Sequence, residues 1–532
     1  VLKRYLGIML AVLMFLSILP ALALADWWEP YPEPVVIHIA AEENTNAVFA
    51  DGEDYETNLW TKKFKELFNV DVVLDMSANN TNREYDQKIN LAIASQTIPD
   101  SFPCNRIQFA QLKAADMLED LTTAYEEFAS PSLRKMMDKY PEIVATAKND
   151  RGELVALPRF FYGYETLTRF LWIRNDWVEE NGITQPESIE DLEAIMQTFI
   201  DNDGAKYGVI LDKELWAMFR MASAFHAYPR RSWVEGPDGT IVYGATLPET
   251  KNMLEYFAKW YREGLIRTDF ATLTEEASRQ DAYNGLVGMA TGENWAGWLF
   301  GNDMVRTQGD GTYFVSFELP SIDGGKVMHP VEFPNEIYNV VRKGYGNPEV
   351  LIKLVNYYID VLDDALGAGT MTLEEVLPFN TNDMHHVTGP FKVEFDHYKD
   401  VSEVSYAVDH DGGPLTSGNA ILFYNEIRKW LDEGDLVGMG RWLQQGGQEF
   451  GSIPKAIGHV DNGQILFSEL WGLPPDVLVD YGTTLEDLLI EGFTEIIMGV
   501  ESIDYFETLI ENWYAAGGQE CTDAVNEMYG GK

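Results

Sequence analysis

The sequence predicts an α/β fold built as two lobes. Three observations carry the prediction. At 532 residues the chain exceeds a single ordinary domain. Between Val35 and Asp100, strand-like and helix-like segments alternate in the βαβα order of a mostly parallel sheet. A hydrophobic content of 46% supports full cores rather than disorder.

The first residues read as a processing segment. Lys3 and Arg4 precede an apolar run over 5–19, then Pro20 and a small-residue site, Ala23-Leu24-Ala25. This is the pattern of a secretory signal peptide cleaved before Asp26. A retained anchor is the alternative, although the apolar run is short for a membrane span. No cysteine stands near the cleavage point, so a lipid-attachment site is not seen.

Each element of the first lobe has a local reason. Val35-Val-Ile-His-Ile-Ala-Ala41 is rich in β-branched residues and bounded by Pro34, so it reads as a strand, ending in the polar loop Glu42-Glu43-Asn44-Thr45-Asn46. Trp60, Phe64 and Leu67 recur at helical spacing and predict a helix over 58–68. A second strand over 70–74 is followed by a helix over 85–95, which Pro99 stops. Ligands of such sheets sit beyond the carboxyl ends of the strands. That topology places Glu42, Asn44, Asn80 and Arg106 near one another as candidate binding residues.

Further along, residues 160–164 form an aromatic cluster, with Tyr164 a candidate for the binding site. Leu171-Trp-Ile-Arg-Asn-Asp-Trp177 reads as a strand entering a helix, with Asp176 a candidate cap and Arg174 paired to an acidic neighbour. A short strand is expected over 207–210, and a hairpin over 234–243 turning at Asp238-Gly239. A helix is predicted over 250–261 and a strand over 285–290. The loop that follows carries Glu293, Asn294, Trp295 and Trp298. An indole face stacks on a pyranose, and Glu or Asn takes its hydroxyls, so Trp295 and Trp298 are the strongest binding candidates. Residues 336–341 read as a strand, which adds Glu336 to the candidates. Trp442 and Trp471 are further candidates for a cleft lining. Near the C-terminus, Gly517-Gly518 reads as a helix cap.

Composition excludes some functions. Lys and Arg total 39 against 85 Asp and Glu, a net charge of −46. Such a chain is not a nucleic-acid binder, although a few arginines can still line a locally positive pocket. Two cysteines, Cys104 and Cys521, make neither a disulfide scaffold nor a structural zinc site. They form one long-range bridge or stay free. The adjacent pair His385-His386 is poorly spaced for one tetrahedral metal. No G-x-S-x-G, H-E-x-x-H or Gly-rich phosphate loop occurs.

Together the segments over 91–100, 171–192, 250–266 and 485–526 resemble the extracellular solute-binding proteins of family 1, in their large carbohydrate-binding branch. The resemblance implies a periplasmic-binding-protein-like fold, two α/β lobes with a hinge and a central cleft. The expected division is a signal peptide over 1–25, a first lobe over 26–160, a second over 161–315, a crossing and return over 316–350, and a mainly helical remainder over 351–532. It further implies a monomeric, exported, non-enzymatic subunit of an ABC importer that delivers an oligosaccharide to the transmembrane permease. Its place would be the periplasm or the outer face of the cytoplasmic membrane. A secreted glycoside-active enzyme, a sensor's binding partner and a peptide-like ligand are the alternatives. In some relatives, such as alginate-binding proteins, a loop matching Phe199–Gly204 forms a calcium site. Here Asp201 and Asp203 are the only candidate acidic ligands before Lys206 cuts the loop short, so no cofactor is expected, with calcium the one ion left open.

Overall fold

In the computed structural model, the described residues are 27–44, 47–79, 83–159, 163–309, 311–364, 366, 369, 371–380, 384, 387–392, 397–447 and 451–530. The proposed signal peptide, Asn80 and the His385-His386 pair lie outside them. In chain order the strands are β1 (Val35–Glu43), β2 (Val70–Asn79), β3 (Ser101–Asn105), β4 (Ala156–Pro158), β5 (Arg169–Arg174) and β6 (Trp233–Glu235). They continue with β7 (Ile241–Tyr243), β8 (Met289–Glu293), β9 (Phe314–Phe317), β10 (His329–Val331), β11 (Ile337–Val341) and β12 (Ile465–Phe467).

The chain divides into two compact units. The first gathers described residues of 1–158, 337–360 and 382–392, and the second those of 159–336, 361–381 and 393–532. The chain therefore leaves and re-enters each unit, instead of completing one before starting the other.

The first unit is built on a sheet of order β2-β1-β3-β11-β4. Strand β1 runs parallel to β2 and β3, and β11 runs antiparallel to β3 and β4. The helix Leu59–Phe68 is started by an Asn58–Thr61 capping box and ends at Asn69 in the left-handed region. Its Trp60, Phe64 and Phe68 are fully buried, each contributing about 1.5–3 kcal/mol of apolar burial. The helix Glu84–Ser95 buries Tyr85, Ile89 and Ala92 and stops at Gln96. Asp100, just past Pro99, acts as a latch. One carboxylate oxygen accepts the His38 backbone N–H at 3.0 Å, and the other accepts Arg342 Nη2 at 2.6 Å.

The second unit holds an antiparallel sheet of order β8-β5-β9, the β6–β7 hairpin and the parallel pair β10–β12. The hairpin turns where the sequence predicts, with Gly239 at φ +81° and Asp238 Oδ1 accepting the Thr240 N–H. The helix Pro248–Arg262 buries Met253, Leu254, Phe257 and Trp260.

Several expectations change on this framework. The expected 207–210 strand is only a single bridge between Tyr207 and Val287. Strand β8 begins at Met289, later than predicted, so Thr291, Gly292 and Glu293 belong to the sheet and not to a loop. Asp176 does not cap the next helix, because both its oxygens bind Arg174, at 2.7 Å each. The Gly pair does not end a helix. Gly517, at φ +121°, kinks the junction between Tyr505–Trp513 and Gln519–Tyr529. Gly518 lies against Trp513, where a β-carbon would meet the ring at 2.3 Å. Cys104 and Cys521 are free, buried thiols. No described helix is long and apolar enough to cross a membrane.

Candidate functional site

The second unit holds a cavity of about 270 Å³. One wall comes from the short helix Trp216–Met221, where Trp216 and Arg220 share a face at i, i+4 spacing. A second comes from the turn Tyr228-Pro229-Arg230-Arg231, and a third from Pro330 to Glu336. Arg169, at the start of β5, and Glu293, at the end of β8, complete it. Arg231 adopts φ +50°, uncommon for a residue with a β-carbon, and both neighbouring arginines line the cavity.

Charge and aromatic surface are interleaved here. The Arg230 guanidinium lies 3.6 Å from the Trp216 ring centre, and that of Arg220 lies 5.5 Å from it. Arg220 donates from Nε to Glu293 Oε1 at 3.0 Å and from Nη1 to Glu275 Oε1 at 2.9 Å. Burial acts to lower its pKa, but Glu293 and Glu275 outweigh it and hold it above the ordinary arginine value. Arg169 is different. Its side chain donates from Nη1 to the Pro330 carbonyl at 3.2 Å, while its backbone N–H meets His329 Nδ1 at 3.3 Å. Burial pulls its pKa below the usual value, with Glu293 and Glu332 acting against that across space.

A smaller hollow adjoins the first. It is lined by Asp212, Glu275, Arg279 and Trp295, and shares Arg220 and Glu293 with the larger cavity. The Arg220–Glu293 pair thus forms a partition between two cups. Trp295, 41% exposed, stands at the smaller one.

The structure sorts the sequence candidates of this unit. Glu336 lines the larger cavity. Tyr164 and Trp471 join its wall indirectly: Phe333, which lines the cavity, meets Trp471 edge-on at 5.3 Å. Trp471 and Tyr164 in turn pack around Phe467, at 5.0 and 4.9 Å. Trp298 lines neither hollow. Its Nε1 donates to Gln444 Oε1 at 2.9 Å and its ring covers Gly440, so it fastens two helices. Trp442 is buried in the core, against Tyr313 and Trp430, where it supports helices and does not line either hollow. Asn294 is buried too, accepting from Gln444. Asp201 lies inside the helix Ile189–Asn202 and accepts from Gln197, while Asp203 accepts from Asn181. Among the described residues no three His, Cys, Asp or Glu are placed to hold a metal ion.

In the first unit, the parallel strands do bring Glu42, Asn44 and Arg106 to one edge of the sheet. Glu42 is ion-paired with Lys392 at 2.7 Å, and the Asn44 backbone bonds the Tyr55 hydroxyl. Arg106 opens the helix Arg106–Ala114, which Asn105 caps.

Sequence reasoning missed Arg169, Trp216, Arg220 and Arg230. A usable signal was present: two consecutive arginines after Pro229, rare in so acidic a chain, and a Trp and Arg four apart.

No protein-family model matches the chain. Its fold is that of the two-lobed solute-binding proteins. The alginate-binding protein AlgQ2, solved without calcium ion, superposes with a TM-score of 0.61 at 14% identity, over 95% of this chain and 99% of that one. An HMO-binding, ABC-transporter-associated solute-binding protein from Bifidobacterium longum infantis gives 0.62 at 12% identity, over 93% and 98%. In sequence, the chain is similar to the lipoprotein LipO of Bacillus subtilis, 19% identical over 468 residues and covering 84% of each protein.

Proposed function

We propose that this protein is the extracytoplasmic substrate-binding component of an ABC importer, a binding protein and not an enzyme. It captures an oligosaccharide and hands it to transmembrane permease subunits. The observation that carries the reading is the pair of adjoining cups. One is walled by Trp216, Phe219, Tyr228 and Phe333, the other carries Trp295, and one Arg–Glu pair divides them. Aromatic faces suit the apolar faces of sugar rings, and fixed charged groups suit hydroxyls. A cavity of about 270 Å³ sits just below the usual range for drug-sized ligands. It suits one sugar unit, while the smaller hollow at Trp295, of about 20 Å³, has room for little more than a water molecule. The two solved relatives named above, both called sugar binders, support the same reading. The protein acts as an exported monomer, in the periplasm or at the outer face of the cytoplasmic membrane, and binds its glycan without a metal.

The test is a thermal-shift screen of the chain from Asp26 against defined oligosaccharides, with EDTA and calcium arms. Ligand that binds only the folded state raises Tm by mass action. Selective shifts with one glycan class, unchanged by EDTA, are expected. A folded protein that responds to peptides or amino acids and to no glycan overturns the reading.

A further inference from the structure

The larger cavity is not matched to a neutral sugar. Its lining holds Arg169, Arg220, Arg230 and Arg231 against Glu293, Glu332 and Glu336. The important quantity is not this ratio but which donors are already taken. Arg220 is fully engaged by Glu275 and Glu293. Arg230 is not. Its Nε forms an ion pair with Glu486 Oε1 at 2.6 Å, but among the described residues its Nη1 is buried with no hydrogen-bond partner. Arg169 has a single side-chain bond, to the neutral Pro330 carbonyl. Two guanidinium groups on one cavity therefore keep unfilled donors. Buried donors left unfilled are costly, and an anion is the partner that satisfies them best.

One acceptor is also left open. Glu293 uses Oε1 on Arg220, while its Oε2 is buried with no hydrogen-bond partner. A carboxylate oxygen accepts only, so its missing partner is a donor such as a hydroxyl. The cavity thus presents open donors and an open acceptor beside aromatic walls. A ligand unit that completes both carries an anionic group and hydroxyls on one ring.

We propose that the glycan is acidic: its anionic group, a carboxylate or a sulfate ester, is held by Arg169 and Arg230, and a ring hydroxyl donates to Glu293 Oε2. This rests on the glycan-binding reading and names the class of sugar. The net charge of −46 opposes an anion at long range. At physiological ionic strength exposed charges beyond about 8 Å are largely screened, so the groups inside the cavity decide.

The experiment is calorimetry on the unmutated chain with three matched probes: an oligogalacturonide, the same oligosaccharide with its carboxyls reduced to alcohols, and a sulfated oligosaccharide of equal length. The expected result is tighter binding of an acidic probe than of the reduced one, by about tenfold or more, weakening as salt rises. The two acidic arms distinguish carboxylate from sulfate. In Arg230→Gln, the ratio of acidic to neutral affinity falls toward one while Tm stays within a few degrees. Reduced oligosaccharide bound as tightly as the acidic forms overturns the inference and leaves glycan capture intact. No glycan bound by the folded chain overturns the glycan reading itself. Because the probe comparison needs no substitution, an unfolded variant does not rescue the inference.

Discussion

The two units treat their polar groups in opposite ways. Around the sheet of the first unit, charged and polar groups are matched internally: Glu42 with Lys392, Glu43 with Ser77, Asn105 with Asp86, and Asp100 with Arg342. Around the cavity of the second unit the matching stops short, at Arg169, Arg230 and Glu293 Oε2. Completed pairs stabilise a fold and leave nothing for a ligand. Incomplete pairs beside a hollow hold polar groups ready for a partner from outside. Residue type and place in the sheet alone do not identify a binding group; unfilled bonds facing a hollow narrow the choice.

That contrast can be broken at either unit. The largest effect is expected for Asp100→Ala, which removes the nearly buried end of the Arg342 pair and strands the His38 N–H. It should cost about 2–3 kcal/mol in urea melts while glycan affinity per folded molecule holds. Lost affinity with unchanged stability would place Asp100 among the binding groups. Trp216→Ala should do the reverse. Removing the ring under Arg230 should weaken glycan binding by about tenfold, or roughly 1.4 kcal/mol, with a smaller loss of stability. A full-strength calorimetric titration would remove Trp216 from the site.

A pH series probes the ground behind the cavity. His329 is buried and stacks on His459 at 4.3 Å. Burial, then His459 and Arg169, hold its pKa well below the ordinary histidine value. The unfolded chain takes up the proton near pH 6.5, and the folded chain does not. Stability from this group is therefore complete above about pH 6.5 and declines below it, by at most about 1.4 kcal/mol per pH unit. His38 is shifted upward by its hydrogen bond to Asp75 and acts in the opposite sense, but it stands in solvent. His329→Gln should flatten the acid limb of the stability curve; an unaltered limb would exclude His329 as its source. The smallest effect is expected for Glu42→Gln. Its ion pair with Lys392, with side chains 17% and 27% exposed, gives way to a neutral hydrogen bond, so the cost should stay near about 1 kcal/mol, and glycan affinity should change less than about twofold. A tenfold drop would return Glu42 to the ligand.

Much of the first unit was legible because its signals are local. The helix Leu59–Phe68 follows from Trp60, Phe64 and an Asn58 cap, and β1 from its β-branched run. The Asp238-Gly239 turn is equally local. Errors arose where tertiary partners decide. Asp176 looked like a cap until Arg174 took both oxygens, and Gly517-Gly518 looked like a stop until Trp513 filled the adjoining space. Trp442 and Trp295 are one residue type with opposite fates, one buried among Tyr313 and Trp430, the other exposed at a small hollow.

By itself the sequence determined the α/β class, most strands and helices, the acidic balance and the likeness to carbohydrate-binding solute receptors. The likeness rests on resemblance to family motifs, the others on periodicity, caps, turn residues and composition, and a chain carries all of these in its linear order. The cavity was decided only in three dimensions. Its walls come from β5, the helix Trp216–Met221, the turn after Tyr228, β8 and the segment after β10. Which arginine has its donors filled there, and which keeps some open, depends on how distant carboxylates, Glu275 and Glu293 at Arg220 and Glu486 at Arg230, align with each guanidinium once the chain is folded.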